Sequence, residues 1–202
     1  MASSRLSAVR STIHSMRVIA GEFRSRPLRS LRGVDIRPTS DRLRETLFNV
    51  LTAGNPKALV GSVWIDLFAG TGAVGIEALS RGSQQVYFVE KSASASDLIK
   101  TNLESLGIGN GVVILRKDAS RAIAELERQQ VSPDFIFLDP PYASQDVYQE
   151  ILQLLGDSML AGKALVVAEH DKRFDPGGDF GLLRRIRKIE QGDAGLSFYR
   201  RE

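Results

Sequence analysis

Residues 63–82 read VWIDLFAGTGAVGIEALSRG. An apolar run opens at Val63 and carries Asp66; glycines follow at 70, 72 and 75, and the text then turns apolar again up to Gly82. Read locally, this is a strand over 63–68, a tight loop and a helix over 73–81. The spacing G-x-G-x-x-G suits a sharp turn, a close backbone approach to a ligand and a helix packed close on its strand. Glycine turns between strand and helix are common, so the surroundings must decide what the loop holds.

Outward from this unit the same grammar repeats. QVYFVE (85–90), VVILRKD (112–118), DFIFLD (134–139) and ALVVAEH (164–170) read as strands. Residues 92–106, 119–130 and 146–156 read as the helices between them. Strand and helix in strict alternation predict an α/β fold with a parallel sheet covered on both faces. The tail breaks the rhythm: LLRRIRKIE (182–190), a QGDAG turn and LSFYRR (196–201) predict a final hairpin. Upstream, MRVIAGEFRSRPL (16–28) predicts a short hairpin. RPTSDRLRETLFNVL (37–51) predicts a helix, with Thr39, Ser40 or Asp41 as cap and Leu43, Leu47, Val50 and Leu51 at helical spacing. Arg42 and Arg44 are expected on its other faces. Residues 1–15 contain five serines, two arginines and no acid, and are expected to form a disordered basic extension. The expected division is thus 1–15, a hairpin and helix over 16–55, and a main domain over 56–202.

Charge is segregated along the chain. Residues 1–44 carry ten arginines against Glu22, Asp35 and Asp41, a net of +7; residues 45–180 carry 11 basic and 18 acidic residues, a net of −7; the remainder is +3. Cationic ends and an anionic middle point to a polyanion met by the ends and a different site between them. No cysteine is present, which removes thiolate metal sites, disulfides and a cysteine nucleophile. No run of 18 apolar residues exists, so no membrane helix is expected. Residues 1–15 lack the apolar core of a secretory signal and match an organellar transit peptide only in composition. The expected compartment is the cytoplasm, with an organelle as the alternative.

In an open parallel sheet, ligands bind beyond the carboxyl ends of the strands. Asp66, Glu90, Asp118 and Asp139 all fall there. Asp66 precedes the glycine loop by four residues and bears on the ligand. A pyrophosphate wants backbone N–H groups and no nearby anion. S-adenosylmethionine carries an ammonium and a sulfonium and no phosphate, and suits the carboxylate better. Glu90 is then placed for the ribose hydroxyls and Asp118 for the adenine amino group. A dinucleotide remains the alternative.

The stretch DFIFLDPPY (134–142) ends a buried strand on Asp139, two prolines and Tyr142. Prolines stiffen the turn and donate no hydrogen bond. The Asp139 carboxylate and the carbonyls of Asp139, Pro140 and Pro141 form a set of acceptors suited to an NH₂ group. Tyr142 offers a face on which a base can stack.

These stretches together resemble the class I SAM-dependent methyltransferases of the amino-methylating, (D/N)PP(Y/F) kind. Within them the chain is similar to the RsmD family, which methylates the guanine N2 of small-subunit ribosomal RNA. The carrying segments are MRVIAGEFRSRPL, IRPTSDRLRETLFNVL, DLFAGTGAVGIEALSRG, VYFVEKS and DFIFLDPPY, over residues 16–142. The resemblance implies a Rossmann-like, seven-stranded, mostly parallel sheet with an antiparallel C-terminal hairpin. It implies cofactor contacts from Asp66, Phe68, Ala69, Gly70, Gly72, Glu90, Lys91, Asp118 and Ala119, with Thr39 and Arg42 closing over the cofactor carboxylate from a lid. Asp139, Pro140 and Tyr142 would hold the guanine, and Arg17, Arg24, Arg26 and Arg29 would contact phosphates. It implies no metal, and a monomer acting on ribosomal RNA or the small subunit. Three alternatives stay open: another amine (adenine N6, cytosine N4 or a protein amide), a nucleic-acid-binding module with a degenerate cofactor site, and a nucleotide-dependent oxidoreductase.

Overall fold

The computed structural model describes residues 16–30, 40–141 and 144–202. The expectations for residues 1–15, Thr39 and Tyr142 lie outside them. Five strands alternate with helices: β1 (Val63–Leu67), α2 (Ala73–Ser80), β2 (Gln85–Val89), α3 (Ala93–Leu106), β3 (Val112–Leu115), α4 (Ala119–Arg128), β4 (Phe135–Leu138), α5 (Gln145–Asp157) and β5 (Leu165–Asp171). Ahead of them lies α1 (Asp41–Leu51); after them come β6 (Asp179–Phe180), β7 (Leu183–Gln191) and β8 (Ala194–Arg201).

The strands form one sheet in the order β3-β2-β1-β4-β5-β8-β7-β6. Pairings from β3 through β5 are parallel, and β8 then runs antiparallel to both β5 and β7. The sheet has eight strands rather than the expected seven, because a two-residue edge strand, β6, adds to β7. So short a pairing leaves no periodicity in the sequence. The α/β architecture and the antiparallel hairpin are as expected. Strand order reverses between β1 and β4, so the loops after these two strands diverge and open a crevice at their carboxyl ends.

Two apolar layers flank the sheet. One joins Trp64, Phe88, Phe137 and Val167 to α1, α2, α3 and the 16–28 segment. The other joins Ile65, Ile136, Leu138 and Val166 to α4 and α5. Trp64, expected in the core, is fully buried and stacks on Phe48 of α1 at 5.5 Å between ring centroids. Helix α1 starts where Ser40 Oγ accepts the Leu43 N–H. Its buried stripe is Leu43, Leu47, Phe48 and Leu51, with Arg44 among them.

The 16–28 segment folds back on itself through one bridge, Arg17 to Pro27. It is fastened by side chains of the main fold. The buried Glu77 carboxylate accepts the N–H groups of Ile19 (2.7 Å) and Ala20 (3.0 Å), and Ser80 Oγ accepts that of Phe23. Asn102 of α3 accepts the Arg29 N–H and donates to the carbonyls of Arg29 and Thr71. One amide thus ties the arginine-rich segment to the glycine loop.

The three loop glycines have separate causes. Gly70 and Gly72 have φ of +54° and +78°, where an L side chain is strained. Gly75 is ordinary helix, but a Cβ there would lie 2.3 Å from Phe88 Cε1 and 2.9 Å from Val86 Cγ1. It lets α2 lie close on β2. Gly75→Ala is expected to cost about 1–3 kcal/mol in urea unfolding, the usual penalty of overpacking; unchanged stability would show that α2 is free to shift.

Candidate active site

The crevice between the β1 and β4 loops is built around Asp66. Its side chain is only 2% exposed, and its Oδ2 accepts the Gly75 N–H at 2.9 Å in the first turn of α2. Burial, with the Glu90 and Glu169 charges adding to it, pushes this carboxyl up to about 7. A partly protonated carboxyl in a recess lined by acids is poised for a cation. The raised value also sets a sign. The folded chain keeps a proton that the unfolded chain loses between pH 3.8 and about 7, so this group's contribution to stability declines as pH rises through that window.

Beyond Asp66 the backbone turns left-handed at Phe68, with φ of +65° in a residue that has a Cβ. Such a conformation costs roughly 1–2 kcal/mol and is kept where the surroundings enforce it. The Ala69 N–H bonds to the Val89 carbonyl at 2.9 Å, and Gly72 closes the turn onto the Ala69 carbonyl. Glu90 organises the other side, accepting the Gly70 N–H at 3.0 Å and the Ser92 N–H at 2.8 Å, one on each oxygen. Gly70 faces open space, with nothing nearer to a Cβ position than the Phe68 carbonyl at 3.9 Å. Of the three glycines it is the one a ligand can approach. Acceptors, an open glycine and a buried acid fit S-adenosylmethionine better than a pyrophosphate.

Asp118 caps α4, accepting the Arg121 N–H on Oδ1, while Oδ2 lies 3.3 Å from the Arg121 guanidinium. Half of its acceptor capacity is thereby used. Ala119 beside it is buried, and Lys91 is exposed. Arg42 is exposed, whereas Arg44 is fully buried and reaches inward, with Nη2 bonding the Arg17 carbonyl at 2.8 Å and Nη1 lying 3.5 Å from the Ala73 carbonyl. Arg44 was expected on a face away from the core. It is the arginine of α1 that meets the residue following the glycine loop.

Asp139 follows β4 by one residue. Leu67 pairs with Leu138, so Phe68 and Asp139 are the next step of the same register, side by side at the crevice. Asp139 is half-buried and Pro140 buried. Two of the carbonyls expected to serve as acceptors are already engaged. That of Pro141 accepts the Ser144 N–H at 2.8 Å, and that of Pro140 lies 3.3 Å from the Tyr148 hydroxyl. The prolines supply stiffness, and of the acceptors expected at this turn the Pro140 and Pro141 carbonyls already carry partners within the chain. Arg17, Arg24, Arg26 and Arg29 are all exposed. Arg17 lies 3.4 Å from the Asp41 carboxylate, and Arg26 bonds the Ser105 carbonyl.

Glu169 was not among the expected residues. It lies near the end of β5, is 3% exposed and is close enough to act on the Asp66 charge. The signal was present in ALVVAEH, where an acid near a strand end repeats the pattern of the other four strands. Among the described residues, no group of three or more acidic or histidine side chains is arranged to hold a metal ion, and no helix is long and apolar enough to cross a membrane.

The chain matches the family described as conserved hypothetical protein 95 over residues 16–200. It is 35% identical over 187 residues to YlbH of Bacillus subtilis, covering 92% of this chain and 99% of that one. It is also 35% identical over 157 residues to the ribosomal RNA small subunit methyltransferase D of Escherichia coli K12, covering 77% of this chain and 75% of that one. The solved structure of yhhF from Escherichia coli superposes with a TM-score of 0.77 at 30% identity, covering 93% of this chain and 98% of that one.

The Asp66 carboxyl gives a direct test of the cofactor pocket. S-adenosylmethionine should favour its ionised form, so binding should tighten from about pH 6 to about pH 8 and release a proton. Calorimetry in two buffers of different ionisation enthalpy reads the release, which Asp66→Asn should abolish. Equal release by wild type and variant would place the cation away from Asp66.

Proposed function

The chain belongs to the RsmD family of S-adenosylmethionine-dependent ribosomal RNA methyltransferases, and from that premise we propose that it methylates the exocyclic N2 amine of a guanine in small-subunit ribosomal RNA. The observation that carries this reading is the place of Asp139, one step past β4 and beside the strained Phe68 of the cofactor loop.

When bound, S-adenosylmethionine would supply an electrophilic methyl carbon on a sulfonium whose sulfur leaves as a neutral thioether. Asp66 and the Phe68–Gly72 loop would hold its methionine part, Glu90 the ribose, and Asp118 with Ala119 the adenine. Lys91, Thr39 and Arg42 complete the proposed cofactor contacts, with residues 16–55 as the lid and RNA-facing part. Asp139 accepts one N–H of the target amine and fixes the nitrogen in line with the methyl carbon, which makes the encounter nearly unimolecular. A guanine amine is a weak base, and its proton becomes acidic as charge develops on nitrogen. Asp139 is then placed to take it late, directly or through water. Tyr142 is the proposed stacking face for the base.

A base in an RNA helix does not offer its amine to such a crevice without unstacking, so an extruded or already open nucleotide is the substrate. Arg17, Arg24, Arg26 and Arg29 are the proposed phosphate contacts, positioning without reading sequence. The proposed setting is cytoplasmic, where a monomer meets ribosomal RNA or the subunit.

Asp139→Ala is expected to bind S-adenosylmethionine as wild type does and to lose roughly 10²–10⁴-fold in methyl transfer to isolated small subunits. Transfer is followed with a tritiated methyl group, and the product nucleoside is identified by mass spectrometry. Full activity in the variant would remove Asp139 from the chemistry. A methylated adenine or cytosine would replace guanine by another amine while keeping the enzyme class.

A further inference from the structure

The carboxyl end of β5 lies directly beside the Asp139 turn. Leu138 pairs with Ala168, so Asp139 and Glu169 occupy the next step of the register, one strand apart. Side chains alternate along β5: Val167 joins the layer that contains Trp64 and Phe137, while Val166 and Ala168 join the opposite one. Glu169 therefore points to the same side of the sheet as Val167, and as Asp66, whose register partner Phe137 pairs in turn with Val167. The two ends are also tied through their backbones. The buried Tyr148 hydroxyl lies 2.9 Å from the Glu169 carbonyl and 3.3 Å from that of Pro140. Tyr148 is held in turn by Phe174, at 5.1 Å between centroids. The spacing of the two acids is thus fixed by a parallel register and by one phenol.

We propose that Glu169 is a specificity-determining residue that accepts the guanine N1–H while Asp139 accepts an N–H of N2. The inference rests on the guanine-N2 reading above. The chemistry of the base edges carries it. Guanine presents two adjacent donors, N1–H and N2–H, to whatever grips its amine. Adenine and cytosine present an amine beside a ring nitrogen that bears a lone pair. An anionic acceptor at the second position bonds guanine and repels the other two, because a lone pair would face a carboxylate in a poorly hydrated recess. The Asp-Pro-Pro turn alone grips any amine; the acid on the next strand makes the choice. As the N2 nitrogen becomes positive during transfer, the N1–H grows more acidic as well. The bond to Glu169 therefore strengthens in the transition state, the condition for it to raise the rate and not merely the affinity.

The test uses the full chain, after the product nucleoside and its position have been identified for wild type. A wild-type product other than N2-methylguanosine fails the guanine reading itself and the present inference with it. With that product in hand, an RNA carrying 2-aminopurine at the mapped position supplies the same amine beside a lone pair in place of the N1–H. Wild type is expected to prefer guanine over 2-aminopurine. Glu169→Gln, whose amide NH₂ can donate to that lone pair, is expected to lower the preference in kcat/KM by about tenfold or more. Because the Glu169 charge also acts on Asp66, the two RNAs are compared within the same variant, where a change in S-adenosylmethionine affinity affects both alike. If Glu169→Gln lowers both RNAs in parallel, or neither, Glu169 holds structure and does not read the base.

Discussion

One hydrogen bond organises the catalytic end of this molecule: a carboxylate that is almost wholly buried, Asp66, accepts the N–H of Gly75. It links the last turn of the first strand to the first turn of the following helix, and the glycine loop is the chain strung between them. Gly75 can occupy that place because it lacks the Cβ that would collide with Phe88. The loop in between has little freedom left, and the left-handed Phe68 is the residue that absorbs the constraint. Burying an acid in this way is costly unless a positive charge arrives, and the fold keeps such a group at its crevice.

From that point the remaining parts follow the parallel register. Asp66, Phe137 and Val167 stand in one row of the sheet; two residues further on, on the same face, stand Phe68, Asp139 and Glu169. The glycine loop, the Asp-Pro-Pro turn and the neighbouring acid lie side by side along one edge, separated by strand spacings and not by flexible chain. The side chains of Glu77, Ser80 and Asn102 dock the arginine-bearing N-terminal segment onto α2 and α3 by accepting its backbone N–H groups. The arginine-bearing segment is thereby tied to the glycine loop, since Asn102 also bonds the Thr71 carbonyl inside it.

Much of this was legible in the sequence, and the physical reasons divide cleanly. Strand and helix alternate with strong, short-range periodicity, so β1 to β5 and their helices could be read to within a few residues. Asp66, Glu90 and Asp139 could be placed because an acid closing an apolar strand is a local pattern. Arg44 was expected on another face of α1 than the leucines, although it shares a helical stripe with Leu47 and Leu51; its guanidinium finds the carbonyls of Arg17 and Ala73, distant in sequence. The same distance hides the state of Asp66, whose raised pKa draws in part on Glu169, and the engagement of the Pro140 carbonyl by Tyr148. The β-bulge between Arg185 and Arg187, which leaves Ile186 exposed, likewise depends on pairing with β8 and leaves no trace in β7 alone.

The account stands on a carboxylate at the end of the fourth strand meeting the amine of a base beside the methyl carrier. A structure of the protein with S-adenosylhomocysteine and an RNA bearing the target nucleotide measures this directly. The account predicts the guanine N2 within hydrogen-bond distance of the Asp139 carboxylate, about 3 Å, and on the open side of the cofactor sulfur. A base seated away from Asp139, or turned so that another edge faces the sulfur, would contradict it.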